Sequence, residues 1–123
     1  GLRIATHLDL DTLVPTILTT VRTALGCRDA AVYLWDGRTG TLREALPPRS
    51  RDAGRYVPDP SRGTAKWVIE NRQVLTLEAA VSNPELAAAT AGDARRPAGV
   101  APLLAGNELL GLLVADDPER TGP

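Results

Sequence analysis

The feature that most constrains this chain is a nearly unbroken apolar run close to its end, LLGLLVA at residues 109–115, preceded by GVAPLLA and the dipeptide Gly106-Asn107. A strand with one wet face alternates apolar and polar side chains, so a run that is apolar at almost every position needs cover on both faces. Gly106-Asn107 between two hydrophobic runs suits a Gly-first two-residue turn of type II′, whose twist matches that of the flanking strands. Residues 97–117 therefore read as a hairpin at the centre of a sheet. Pro102 has no N–H to give the ladder, and a local break or an unpaired edge is expected beside it.

A chain of 123 residues suits one domain, able to bury roughly two-thirds of its unfolded surface in a single core. The formal charge is −1 with acids and bases interspersed, so no long-range field argues for nucleic acid or an anionic membrane as partner. Cys27 is the sole cysteine, which excludes an internal disulfide and a multi-cysteine zinc site. There is no signal-like start and no apolar run near the ~18 residues of a membrane span, so a cytoplasmic setting is expected. The chain opens Gly1-Leu2 and closes Gly122-Pro123, and is read as a piece of a longer protein.

Residues 9–26 carry Leu10, Leu13, Val14, Ile17, Leu18, Val21 and Leu25 at three- and four-residue steps, the stripe of an amphipathic helix. Asp9 or Asp11 can cap it, and Gly26 can end it. DAAVYLW, the turn at residues 36–40 and residues 41–46 form a second hairpin, with Ala31, Tyr33 and Trp35 on one face and Ala30, Val32 and Leu34 on the other. Both faces are apolar, so either can be inside. Residues 47–60 read as an exposed loop with a short edge strand near Tyr56-Val57. Ser61 is placed to cap a helix through about Arg72, in which Thr64, Trp67, Val68 and Asn71 share a side. A strand is expected at residues 74–77, and Asn83-Pro84-Glu85 supplies the cap, first-turn proline and acidic start of a short helix over residues 86–91. Gly92 to Arg96 is a polar loop. The order helix, hairpin, loop, helix, strand, short helix, hairpin defines an α+β domain on a mostly antiparallel sheet of about five or six strands.

These pieces together resemble a GAF domain, the small sensory module of larger signalling and regulatory proteins. The resemblance is carried by LDLDTLVPTILTTVRTALGC running into AAVYLWD, by Gly40-Thr41-Leu42, by RGTAKWVIENRQVLTL, by NPEL, and by APLLAGNELLGLLVADD, which is similar to the family's "vPL…g…iGvL" ending. It spans about residues 8–117 within a single domain of residues 1–123. It implies a central antiparallel sheet of five or six strands with the N-terminal helix on one face. It also implies short helices and loops over the other face, with a ligand pocket between them and the sheet. Two departures stand out: Lys66 lies where many relatives have a glycine, and the family's C-terminal helix is missing. The apolar surface left by that helix is expected to promote a homodimer.

The residues that often carry chemistry in such domains read blandly here. Cys27 lies where a helix meets a strand, away from the bilin-attachment position of relatives, with only Arg28 beside it to lower its pKa. His7, the only histidine, precedes the first helix and is poorly placed for haem or iron. The chain has no phenylalanine, and lacks the asparagine-lysine-phenylalanine-aspartate type motif of cyclic-nucleotide-binding relatives. Arg43, Arg49, Arg51, Arg55 and Arg62 can clamp a carboxylate or phosphate, but Asp52 and Asp59 between them favour a solvated loop. Asp116-Asp117 reads as a strand end.

The aromatics Tyr33, Trp35 and Trp67 combine an apolar body with a polar tip, as a pocket wall requires, and equally suit a core. By the resemblance, Ala31 and Tyr33 fall on the pocket side; Val100 and Val114 are weaker candidates from the last hairpin, where a one-residue change in the loop flips the face. The ligand-pocket candidates are thus Ala31, Tyr33, Trp35, Trp67, Val100 and Val114. No nucleophile-base pair, catalytic carboxylate pair or phosphate-cradling loop is visible. The expectation is a non-enzyme with no metal and no cofactor, binding an unidentified small molecule and relaying it to an output domain of the same parent chain. The alternative is a GAF-fold dimerisation or protein-interaction module that binds no ligand.

Overall fold

The computed structural model of the chain describes residues 29–46 and 55–116. The expected helix at residues 9–26, His7, Cys27, Arg49, Arg51, Asp52 and Asp117 lie outside the described residues. Five strands form one sheet: β1 (Asp29–Asp36), β2 (Thr41–Leu46), β3 (Leu75–Thr76), β4 (Gly99–Ala105) and β5 (Glu108–Asp116). Their order is β2-β1-β5-β4-β3, and every neighbouring pair is antiparallel. Three helices complete the described residues: α1 (Gly63–Asn71), α2 (Leu77–Ser82) and α3 (Pro84–Ala89). This is the α+β architecture that the order of elements predicts.

The continuous apolar run of β5 is explained by its place. The strand lies between β1 and β4, and Leu112 faces one side of the sheet while Leu113 faces the other, both buried. Ala105 pairs with Glu108 across the turn, where Gly106 has φ 62°, the left-handed value that a Gly-first turn requires. β3 pairs only with Val100 and Gly99, so beyond Val100 the described neighbour of β4 is β5 alone. Pro102, opposite Leu112, sits in that stretch, where a residue without an N–H is tolerated.

The sheet divides its apolar residues into two buried clusters. Ala31 and Tyr33 of β1, Leu112 and Val114 of β5, Val100 of β4 and Leu75 of β3 join Tyr56, Ala65 and Val68. Val32, Ala98, Leu113 and Ala115 form the second cluster, with Ala30, Ala101 and Leu103 packed against it. Both faces of β1 are thus inside.

Three local expectations are corrected. Tyr56-Val57 forms no strand: Tyr56 is buried in the first cluster while Val57 is 58% exposed, and the Tyr56 amide donates to a side chain instead of a ladder. Ser61 does not cap α1, because its hydroxyl and amide both bond to Asp59. Arg62 is the N-cap residue and makes no side-chain cap bond. The strand predicted at residues 74–77 shrinks to Leu75–Thr76, since the Thr76 hydroxyl accepts from the Ala79 amide and starts α2, which sequence reading missed. Asn83 caps α3 through the amides of Glu85 and Leu86, with Pro84 in its first turn, as its sequence indicates.

Candidate functional site

Ala31, Val114, Val100 and Leu75 are register partners in succession, so they form one row across β1, β5, β4 and β3. Tyr33 and Leu112 pair in the next row on the same face. This is a floor of mostly small and branched side chains. Its roof comes from α1, which contributes Ala65 and Val68, and from the segment before α1, which contributes Tyr56. α1 is helical because GTAKWVIEN holds no proline and only one, terminal, glycine. Its buried residues Thr64, Ala65 and Val68 are spaced to share a side. It ends at Arg72, whose left-handed φ of 57° returns the amide to Val68 O.

Polar groups ring the apolar contact. Arg55 Nη1 donates to Tyr33 Oη at 3.2 Å, and its Nη2 lies 3.6 Å from Glu44 Oε2. This links the loop before α1 to both strands of the first hairpin. At the other end, Asp116 Oδ2 accepts from the Tyr56 amide at 3.3 Å, while Oδ1 accepts from Arg95 Nη2 at 3.4 Å. Asp93 Oδ2 accepts from the Thr64 amide at 3.0 Å and from the Thr64 hydroxyl at 2.6 Å. The Tyr56 hydroxyl and Arg95 Nε are buried without a hydrogen-bond partner. Burial first, and the Asp93 carboxylate second, push the Tyr56 phenol pKa well above its ordinary value.

Of the six pocket candidates, Ala31, Tyr33, Val100 and Val114 come together in the floor, and Trp67 packs against them half-buried. Trp35 is half-buried near the end of β1, outside that cluster, with its indole nitrogen beside Gly37. A narrow cleft lies next to the floor, lined by Thr64, Leu75, Thr76, Leu77, Ala80, Arg96 and Pro97. Its interior is too tight for a water molecule, and none of the six candidates lines it. Sequence reading missed Tyr56, Asp93 and Arg95 because each sits in a segment rich in proline, glycine or charge. It read Asp116 as a strand end, which is also its position. Among the described residues, no group of three or more His, Cys, Asp or Glu side chains is placed to hold a metal ion. No described helix is long and apolar enough to cross a membrane.

A five-stranded antiparallel sheet in this order, roofed by short helices, now stands beside the sequence pattern. The chain belongs to the GAF domain family, which it matches over residues 9–123. It is similar in fold to the GAF domain of a phosphoenolpyruvate-protein phosphotransferase from Acinetobacter, with a TM-score of 0.53 and 16% identity. That match covers 82% of this chain and 62% of the other. No curated protein matches the sequence significantly. GAF domains are typically sensory or regulatory rather than catalytic, and this is the class of module to which the chain belongs.

Proposed function

We propose that this GAF domain is a non-catalytic sensor of a small molecule seated between the floor Ala31-Val114-Val100 and the roof of α1, acting on an output domain of its parent chain. The observation that carries the reading is the buried Tyr56 hydroxyl without a partner, in a cluster whose other members apart from Tyr33 are apolar. An unsatisfied buried hydroxyl costs about 1–3 kcal/mol, and a bound ligand that offers it a partner recovers that loss. The small side chains of Ala31, Ala65, Val100 and Val114 supply a wall that a modest movement of α1 opens. Occupancy then favours one arrangement of α1 and of the segments tied to it, which is how a ligand biases an output. The reading extends to a cytoplasmic homodimer. A thermal-shift screen of cell metabolites tests it: a specific ligand raises the melting temperature saturably, and Ala65→Trp, which fills the wall, abolishes the rise.

A second reading, a dimerisation module that binds nothing, is favoured by the tightness of the cleft beside the floor. It gains if no metabolite shifts the melting temperature while sedimentation shows a stable dimer.

A further inference from the structure

The first turn of α1 presents the positive end of a helix dipole to a buried place. An anion is the usual occupant of such a place, held by free backbone amides. Here the chain supplies its own. Arg62, the N-cap residue, gives no side-chain cap bond and pairs with Asp59 instead, and the first turn contains no acidic residue. Asp93, twenty-nine positions after Thr64, takes that role through the Thr64 amide and hydroxyl. Gly63 is shaped to this arrangement: its φ is +67°, and an added Cβ would fall on the Asp93 carboxylate. A second observation points to the same spot. The Tyr56 hydroxyl, on a residue only 5% exposed, is buried without a hydrogen-bond partner, and burial first and the Asp93 charge second raise its pKa.

We infer that Asp93 is a built-in occupant of the anion seat at the start of α1, and that it restricts the site to neutral or cationic ligands carrying N–H or O–H donors. This rests on the sensor reading above and narrows its ligand class. Both hydrogen bonds from Thr64 reach Oδ2, while Oδ1 lies against Gly63 and, among the described residues, accepts no hydrogen bond. A phosphate or carboxylate brought to the same amides meets a fixed negative charge at hydrogen-bonding distance from Thr64. Repulsion at that range is severe where water is excluded.

The test needs no natural ligand and uses inorganic phosphate as the probe. Thermal unfolding of wild type, Asp93→Ala and Glu70→Gln is followed against phosphate at constant ionic strength. Glu70 is exposed on the same helix, so its variant controls for loss of one negative charge. Asp93→Ala is expected to gain a saturable rise in melting temperature and to bind phosphate about tenfold or more tightly than wild type. Wild type and Glu70→Gln show only the unsaturable salt effect common to proteins. If Asp93→Ala does not fold, Asp93→Asn, which retains an acceptor for Thr64, must show the gain. Saturable binding to wild type as tight as to the variants, or no saturable binding to either Asp93 variant, overturns the proposal. A failed metabolite screen would instead count against the sensor reading and leave this result standing.

Discussion

The Tyr56 amide and the Asp116 carboxylate meet at 3.3 Å across a sequence separation of sixty. The bond fixes the segment before α1 to the last residue of β5, and Arg95 shares the same carboxylate. Tyr56 thereby joins a roof to a sheet with its backbone while its ring packs in the core.

Asp116→Ala should therefore cost more than a surface ion pair. The Asp116 and Arg95 side chains are 14% and 25% exposed, so removal leaves an amide and a guanidinium poorly solvated. A loss of about 1–3 kcal/mol in urea unfolding is expected. Asp36→Ala, whose carboxylate is far more open and faces an exposed Arg38, should change stability by less than ~1 kcal/mol.

Tyr56→Phe separates packing from the hydroxyl. Near neutral pH it should be as stable as wild type or slightly more so, since it deletes an unsatisfied buried group. The phenol pKa is raised by folding above its ordinary 10.0. Its contribution is therefore fully present below pH 10, and is lost as pH climbs through the folded value because the unfolded chain releases the proton first. Urea midpoints at pH 8 and pH 11 should fall more in wild type than in Tyr56→Phe. Equal falls would contradict the assignment.

Gly63→Ala and Gly106→Ala form a useful pair. Both glycines have positive φ, but the space around Gly106 is open whereas Gly63 abuts Asp93. Each substitution should cost about 1–2 kcal/mol for the left-handed backbone. Gly63→Ala should cost more by the collision, and that excess should disappear in an Asp93→Gly background.

Leu112→Ala should be among the most damaging truncations, because Leu112 is fully buried where the floor meets the roof. A loss of about 2–5 kcal/mol is expected, set by how far α1 settles into the void. Val57→Ala, at an exposed position, should stay within ~0.5 kcal/mol of wild type.

The regular part of this architecture is legible in the residues because it rests on local chemistry. The apolar run of β5 requires a central strand, Gly106-Asn107 requires a tight turn, and Asn83-Pro84-Glu85 requires a helix start. Four of the six pocket candidates fall in one cluster because alternation along β1 puts Ala31 and Tyr33 on one face and strand register brings Val114 and Val100 beside Ala31. Trp35 escapes that logic near the strand end, where the sheet supplies fewer neighbours. The capping of α1 was not legible. Ser61 looks like the cap in sequence, but Asp59 engages it and the working carboxylate arrives from a loop that local spacing cannot bring near. Tyr56 was hidden for the same reason: its burial depends on Asp116, and no nearby residue announces it.

The brevity of β3 has a consequence for solubility. From Ala101 to Ala105 the described residues offer no strand on the outer side of β4, and an open row of amides and carbonyls invites another chain to add itself. Pro102 interrupts that row, since it has no amide hydrogen to offer an incoming strand. The proline that the ladder must tolerate thus also guards the domain against edge-to-edge aggregation, and Pro102→Val would remove the guard while leaving the floor of the site in place.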